Sequence, residues 1–123
     1  MHQIDLIVEP IVRIVRSHQF DLSTEKHLQE DLEEAFRREG ILYEREKRLS
    51  PADILDFLVE GQVVVECKLR KKSRKIEIYR QLERYAAHPT IAAIVLASNV
   101  AMALPPTIGG KPVFAASLSR GWL

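Results

Sequence analysis

The 123-residue chain has a single cysteine and no long apolar run, and each of these absences excludes a class of protein. Cys67 cannot form a disulfide within the chain, and one cysteine excludes a four-cysteine zinc site. The longest apolar runs, such as Ile91 to Leu96, are far shorter than the roughly 20 residues that cross a bilayer. The sequence also lacks the Gly-x-Ser-x-Gly and Gly-x-x-x-x-Gly-Lys motifs of serine hydrolases and Walker-type proteins. We therefore expect a cytoplasmic protein with no membrane partner. Its chemistry should differ from that of serine hydrolases and Walker-type proteins.

Charged residues are unevenly distributed, although the net charge is only +1. The segment from Asp21 to Glu39 holds seven acids and three bases, whereas Lys68 to Lys75 holds six bases and no acid. Such separation favours one face turned towards a polyanion. The alternative is a solvated run of lysines and arginines with no partner.

Hydrophobic spacing predicts one α/β domain over residues 1–123. Residues 1–20 form an N-terminal helical extension that Pro10 should kink or split. Ser23 is a plausible N-cap for a second helix, and Gly40 lies just past its end.

Three strands, a helix and two further strands are predicted to follow. The strands are 41–49, 53–59 and 62–69, the helix is 73–88, and the last strands are 91–97 and an edge strand at 112–118. A helix that crosses between buried strands implies a mixed central sheet, with a three-stranded meander and helices on both faces.

Ionisable residues interrupt two of these apolar strands. Glu66 and Lys68 are two residues apart and project from the same face of one strand, while Asp56 lies in the preceding strand. Buried charges are costly unless they are paired or bind a metal. Glu66 and Lys68 are therefore either a structural ion pair at the end of a strand or part of a site.

The turn between these strands decides whether Asp56 meets Glu66, since a slip of one residue reverses every side chain. A two-residue turn at Glu60-Gly61 would require a positive φ at Glu60 and would bring Asp53 to the site instead. A three-residue loop with Gly61 left-handed opposes Leu58 to Gln62 and places Asp56 on the face of Glu66. We favour the second arrangement and keep Asp53 as the alternative.

Two acids and a lysine at one end of a hairpin suit the hydrolysis of phosphodiesters. Carboxylate oxygens bind Mg²⁺ or Mn²⁺, and such an ion lowers the pKa of a bound water. A lysine beside the ion can orient that water or stabilise developing charge.

Asp56, nine intervening residues and then Glu66-Cys67-Lys68 resemble the motif of the PD-(D/E)XK nuclease superfamily. The resemblance covers residues 23–98 and implies a restriction-endonuclease-like core, although Leu55 stands where the family name has proline. It implies a divalent-metal-dependent deoxyribonuclease in which Asp56 and Glu66 bind Mg²⁺ or Mn²⁺ and Lys68 orients the attacking water.

The resemblance also implies supporting residues and partners. Glu25, on the helix before the meander, would be a further metal ligand, or else a first-turn acid that complements the helix dipole. Gln81, in a Gln-x-x-x-Tyr pattern with Tyr85, would join the catalytic set, while Tyr85 itself is expected in the core. Small members often pair, so a homodimer is expected.

The basic run would contact the phosphates of DNA, with RNA as an alternative substrate. Its residues are Arg70, Lys71, Lys72, Arg74 and Lys75. We expect a structure-selective endonuclease of the resolvase, repair or mobile-element type. The rivals are a catalytically silent nucleic-acid-binding or scaffold protein of the same fold and an ordinary α/β interaction domain.

Overall fold

A computed structural model of the chain describes residues 3–70 and 74–118. In these ranges it contains three helices and six strands. The helices are α1 (Gln3–Ser17), α2 (Glu25–Arg38) and α3 (Lys75–Ala86); the strands are β1 (Tyr43–Arg48), β2 (Ile54–Val59), β3 (Val63–Lys68), β4 (Ala93–Ser98), β5 (Thr107–Ile108) and β6 (Lys111–Ser117). The predicted elements are present with shifts of one to a few residues at their ends; position 73, predicted to begin the third helix, lies outside the described ranges.

One mixed sheet connects all the strands, in the order β1-β2-β3-β4-β6-β5. β1, β2 and β3 form the predicted antiparallel meander, and β3, β4 and β6 run parallel. The connection from β3 to β4 contains α3, because parallel neighbours need a crossover rather than a hairpin. The fold is therefore α/β with a mixed sheet, as expected, and the sheet has six strands rather than the five predicted.

The predicted edge strand at 112–118 corresponds to β6, but its surroundings differ from the prediction. Its first two residues pair with β5, a two-residue strand that was not predicted. The rest of β6, from Val113 to Ser117, pairs with β4. A strand as short as β5 has too few residues to show the alternation by which strands are recognised.

The two ends of α2 have identifiable local causes. Thr24, not Ser23, is the N-cap of α2, and its side chain accepts a hydrogen bond from the backbone N–H of His27. The Ser23 hydroxyl instead donates to Asp21. The prediction of Ser23 was wrong because both residues can cap, and Asp21 binds the nearer hydroxyl. Gly40 follows the end of α2 with φ +70°, as predicted for the residue after a C-cap.

Pro10 was predicted either to kink or to split the first helix. α1 continues through Pro10, so the helix is not split. Pro10 has no backbone N–H to donate to the carbonyl of Leu6. The helix is nevertheless held by four buried residues that pack on the sheet, Val8, Ile11, Ile14 and Val15. Within the described residues, no helix is long and apolar enough to cross a membrane.

Apolar side chains form two layers, one on each face of the sheet. α1 and α2 pack on one face, where Leu32 and Phe36 meet Phe57 and Val65. α3 packs on the other face, in a layer that includes Leu82. β3 and β4 lie between the layers and are buried on both faces, which explains their nearly continuous apolar sequences.

Candidate functional site: two acids and a lysine on a buried hairpin

The β2–β3 turn brings Asp56 and Glu66 together. Val59 pairs with Val63 and Phe57 with Val65, so the next step of the register sets Asp56 opposite Glu66. The backbone N–H of Asp56 donates to Oε1 of Glu66 over 3.3 Å. The predicted convergence of these two acids is therefore present in the structure.

The turn itself differs from the prediction in one respect. It is a three-residue loop, but it pairs Val59 with Val63 and not Leu58 with Gln62. Glu60 adopts φ +54° and Gly61 φ +71°, and the N–H of Gln62 donates to the carbonyl of Val59. The pairing prediction was wrong because Glu60 accepts the left-handed conformation that it was expected to avoid. The shift is two residues in register, so the face of Asp56 is unchanged.

Asp53, the alternative acid, lies elsewhere. Its carboxylate is 3.1 Å from Nε of Arg84 and 3.1 Å from Nε2 of His88, at the C-terminal end of α3. Burial raises the pKa of Asp53, but hydrogen bonds from His88 and Arg84 outweigh it and lower the pKa overall. Asp53 is thus an ion-paired structural residue, and the structure does not place it with Glu66.

Lys68 and Tyr85 complete the surroundings of Glu66. Nζ of Lys68 is 3.5 Å from Oε2 of Glu66, and only 13% of the lysine side chain is exposed. The hydroxyl of Tyr85 lies within hydrogen-bond distance of two acceptors, the carbonyl oxygen of Ile54 at 3.2 Å and the same Oε2 of Glu66 at 3.4 Å. The lysine thus pairs with Glu66, and the tyrosine hydroxyl is shared between Glu66 and the backbone of β2.

Asp56 and Glu25 each accept a hydrogen bond from the backbone of the β3 end. The N–H of Cys67 donates to Oδ2 of Asp56 over 2.8 Å, and the N–H of Leu69 donates to Oε2 of Glu25 over 3.2 Å. Glu25 is in the first turn of α2, so this bond ties that helix to the strand that carries Glu66 and Lys68.

Burial and like charge shift the protonation of the two central acids. The pKa of Glu66 is raised first by burial and then by the neighbouring carboxylate of Asp56, and Lys68 opposes these effects only in part. The pKa of Asp56 is raised by burial and further by Glu25, against the bond from Cys67 and the charge of Lys68. Burial, more than like charge, therefore favours the protonated form of both acids.

The two carboxylates have the chemistry that a divalent cation requires. Mg²⁺ is commonly bound through one or two carboxylates and keeps several waters, so Asp56 and Glu66 are the side chains here that could hold it. In the part of the chain that the structure describes, no group of three or more His, Cys, Asp or Glu side chains is arranged to hold a metal. Among the described residues, Glu25 therefore does not form a three-ligand metal site with Asp56 and Glu66. Its observed contact is with the backbone N–H of Leu69.

The remaining predicted site residues differ in their burial and in their contacts. Gln81 is half-buried on α3, one turn before Tyr85, and its side chain makes no hydrogen bond within the described ranges. Arg70, Arg74 and Lys75 are exposed, and Arg74 forms a surface ion pair with Glu77. Lys71 and Lys72 lie outside the described residues.

Two contributors were missed or undervalued by sequence reasoning. Tyr85 is a core residue, as predicted, but its hydroxyl also contacts Glu66. Arg45 of β1 binds Glu33 of α2 through a 2.9 Å contact and lowers the pKa of Asp56 by its charge. The position of Glu33, the partner of Arg45, could have been predicted from its spacing. Glu25 and Glu33 are eight residues apart, which places them on one side of α2.

Comparison of the chain with protein-family models, with curated proteins and with solved structures finds no match.

Proposed function

We propose that this chain is a divalent-metal-dependent nuclease with a core of the PD-(D/E)XK type. The observation that carries the proposal is the meeting of Asp56, Glu66 and Lys68 at one end of a buried hairpin. Two carboxylates are held there beside a single ammonium group, and burial raises the pKa of each, so their negative charge is unfavourable without a further partner. A divalent cation would compensate that charge, and such compensation is what retains buried acids in a site.

Each side chain has a distinct part in the proposed reaction. Asp56 and Glu66 would hold Mg²⁺ or Mn²⁺, which when bound supplies Lewis acidity and a water of lowered pKa. Lys68, whose ammonium group is 3.5 Å from Glu66, would orient the attacking water and offset charge that develops on the phosphate. Tyr85 keeps Glu66 in place through its hydroxyl, as a positioning residue.

DNA is the proposed substrate, and its backbone would be bound by the basic run that follows Lys68. Arg70 begins this run two residues after the lysine, Arg74 is the N-cap of α3 and Lys75 is its first residue, and all three side chains are exposed. Contacts to phosphates give affinity without sequence information, so we expect salt-sensitive recognition of nucleic-acid shape. RNA is the alternative substrate, and a cytoplasmic resolvase, repair or mobile-element endonuclease is the corresponding cellular role.

A second candidate, a silent nucleic-acid-binding protein of the same fold, is favoured by the hydrogen bonds that the acids already make. Asp56, Glu66 and Glu25 each accept a backbone N–H, so the acids also serve the fold. Such a protein would bind DNA with or without a divalent ion.

The test is cleavage of supercoiled, branched and single-stranded DNA in Mg²⁺, Mn²⁺ or EDTA. We expect cleavage that requires the ion and falls at least about a hundredfold in Glu66→Gln, Asp56→Asn and Lys68→Met, while DNA binding persists. Glu30→Gln, at an exposed position of α2, is the matched control and should keep full activity.

Two outcomes would reject the nuclease. One is the absence of cleavage of every substrate together with no effect of Mn²⁺ on thermal stability. The other is cleavage that Glu66→Gln and Lys68→Met both retain, since that would indicate a contaminating enzyme.

A further inference from the structure

A groove of about 340 Å³ lies between α1 and β6, away from the acids and lysine of the candidate site. Its apolar lining consists of Val8 and Val12 of α1 and Phe114 of β6. Val12 and Phe114 are only partly buried within the chain, although both pack against the core. The groove thus presents apolar surface that the described residues leave incompletely covered.

Four charged side chains of α1 form the rest of the lining, and their order along the helix is regular. Asp5 and Glu9 lie in the N-terminal half, and Arg13 and Arg16 lie in the C-terminal half. All four are exposed, and their spacing places them with Val12 on one stripe of the helix.

Only one of the four has an ion-pair partner in the described ranges. Arg13 is 3.3 Å from Glu39, whereas Asp5, Glu9 and Arg16 make no ion pair there. An acid near the start of a helix and a base near its end also complement the helix dipole. The dipole does not, however, account for their position along an apolar groove.

We propose that this stripe of α1 docks on the same stripe of a second copy of the chain, with the two helices antiparallel. Reversal of one helix places acids opposite bases: Asp5 faces Arg16 of the second copy, and Glu9 faces Arg13 of the second copy. A twofold axis repeats both contacts, so a single surface is complementary to itself. Val12 lies close to that axis in each copy and supplies an apolar centre.

The size of α1 limits the strength of this dimer. A helix of 15 residues is about 22 Å long, and an interface of this length is at the small end of specific protein contacts. We therefore expect a dissociation constant on the order of micromolar, and salt should raise it because exposed ion pairs are screened.

Charge reversal at Asp5 and Arg16 tests the pairing by sedimentation equilibrium of the full chain. Asp5→Arg and Arg16→Asp should each weaken the dimer about tenfold or more, since each places like charges opposite one another twice. The double variant Asp5→Arg/Arg16→Asp should regain affinity to within a fewfold of the original chain. Arg16→Lys, which keeps the charge, is the matched control and should dimerise normally.

The double variant separates docking from a role in the helix alone. Within one helix the two positions are about 16 Å apart, too far for direct contact. Against the helix dipole, the two reversals would add to each other and the double variant would be the worst. Recovery of the dimer therefore requires contact between copies.

Mixing the two single variants gives an independent readout. In the mixed dimer the contacts at these two positions join opposite charges, so two chains that each dimerise weakly alone should associate more tightly when combined. Circular dichroism of each variant establishes that it is folded. A chain that stays monomeric up to about 1 mM would overturn the proposal, and so would single variants that dimerise like the original or a mixture that does not associate. The proposed dimer does not depend on the nuclease activity.

Discussion

Glu66 combines two unfavourable conditions for a carboxylate, since only 2% of its surface is exposed and Asp56 is adjacent. Its compensations are the ammonium of Lys68 and the hydroxyl of Tyr85. Because a buried charge is retained only where partners or function require it, the residue is a sensitive point of both stability and chemistry.

The stability of the metal-free protein should fall as pH rises, and Glu66 should be a main cause. The pKa of Glu66 is raised in the folded state, so the folded chain holds this proton more tightly than the unfolded chain does. The stabilisation is present below the ordinary glutamate pKa and is lost as pH rises through the raised value. We expect Glu66→Gln to lessen the loss of unfolding free energy between about pH 5 and pH 9 by at least about 1 kcal/mol.

Urea unfolding in EDTA across that range measures the effect. Glu30→Gln, at an exposed position, is the control and should follow the original chain. Equal pH dependence of Glu66→Gln and the original chain would contradict the assigned cause, and added Mn²⁺ should lessen the loss only where both acids are present.

The β2–β3 turn is the element on which the site depends, and it contains backbone strain. Glu60 and Gly61 both have positive φ, which costs a residue with a side chain about 1 kcal/mol or more. No atom lies within 4 Å of a side chain built on Gly61, so a substitution there meets only the backbone cost.

Two substitutions in this turn should change stability in opposite directions. Gly61→Ala should lower the unfolding free energy by about 1 kcal/mol, whereas Glu60→Asn should raise it by about 0.5 kcal/mol because asparagine tolerates the left-handed region. Denaturant midpoints measure both. A stabilising Gly61→Ala would show that positive φ at this position carries no cost.

The same turn shows what sequence reasoning could and could not predict. The face shared by Asp56 and Glu66 was predicted because the alternation of side chains leaves only two choices. The pairing partner was not, because the energy of a strained Glu60 is small compared with the burial gained by the valines of β3. Burial of whole strands can thus override the preference of one turn residue.

Helices and long strands were predicted well because apolar periodicity determines them, and the failures fall at features that lack it. The choice between Ser23 and Thr24 as cap depends on where Asp21 lies, and β5 is too short for any pattern. The contact of Tyr85 with Glu66 joins residues 19 apart and depends on how α3 crosses the sheet. Such contacts follow from tertiary packing rather than from local sequence.

At the scale of the whole molecule, the two apolar layers share one sheet. Leu32 of α2 packs on one face and Leu82 of α3 on the other, and both are fully buried. β3 lies between these layers and contributes side chains to each. Loss of either layer should therefore open the strand that carries Glu66 and Lys68, and the domain should unfold in one step.

Leu32→Ala and Leu82→Ala test this coupling. Each should lower the unfolding free energy by about 2–5 kcal/mol, since each leaves a cavity in a closed layer. Far- and near-ultraviolet circular dichroism should report the same midpoint in both variants. Separate transitions for the two probes would show that the layers unfold independently.

Cys67 lies between Glu66 and Lys68, with no exposed surface and a pKa that burial and the nearby acids raise. Its thiol is therefore closed to alkylating reagents in the folded protein, and it is the single cysteine of the chain. The modification of Cys67 under native conditions thus reports the opening of this strand. Because the reporter adjoins both acids, slower labelling in Mn²⁺ would detect cation binding even in a variant that cleaves nothing.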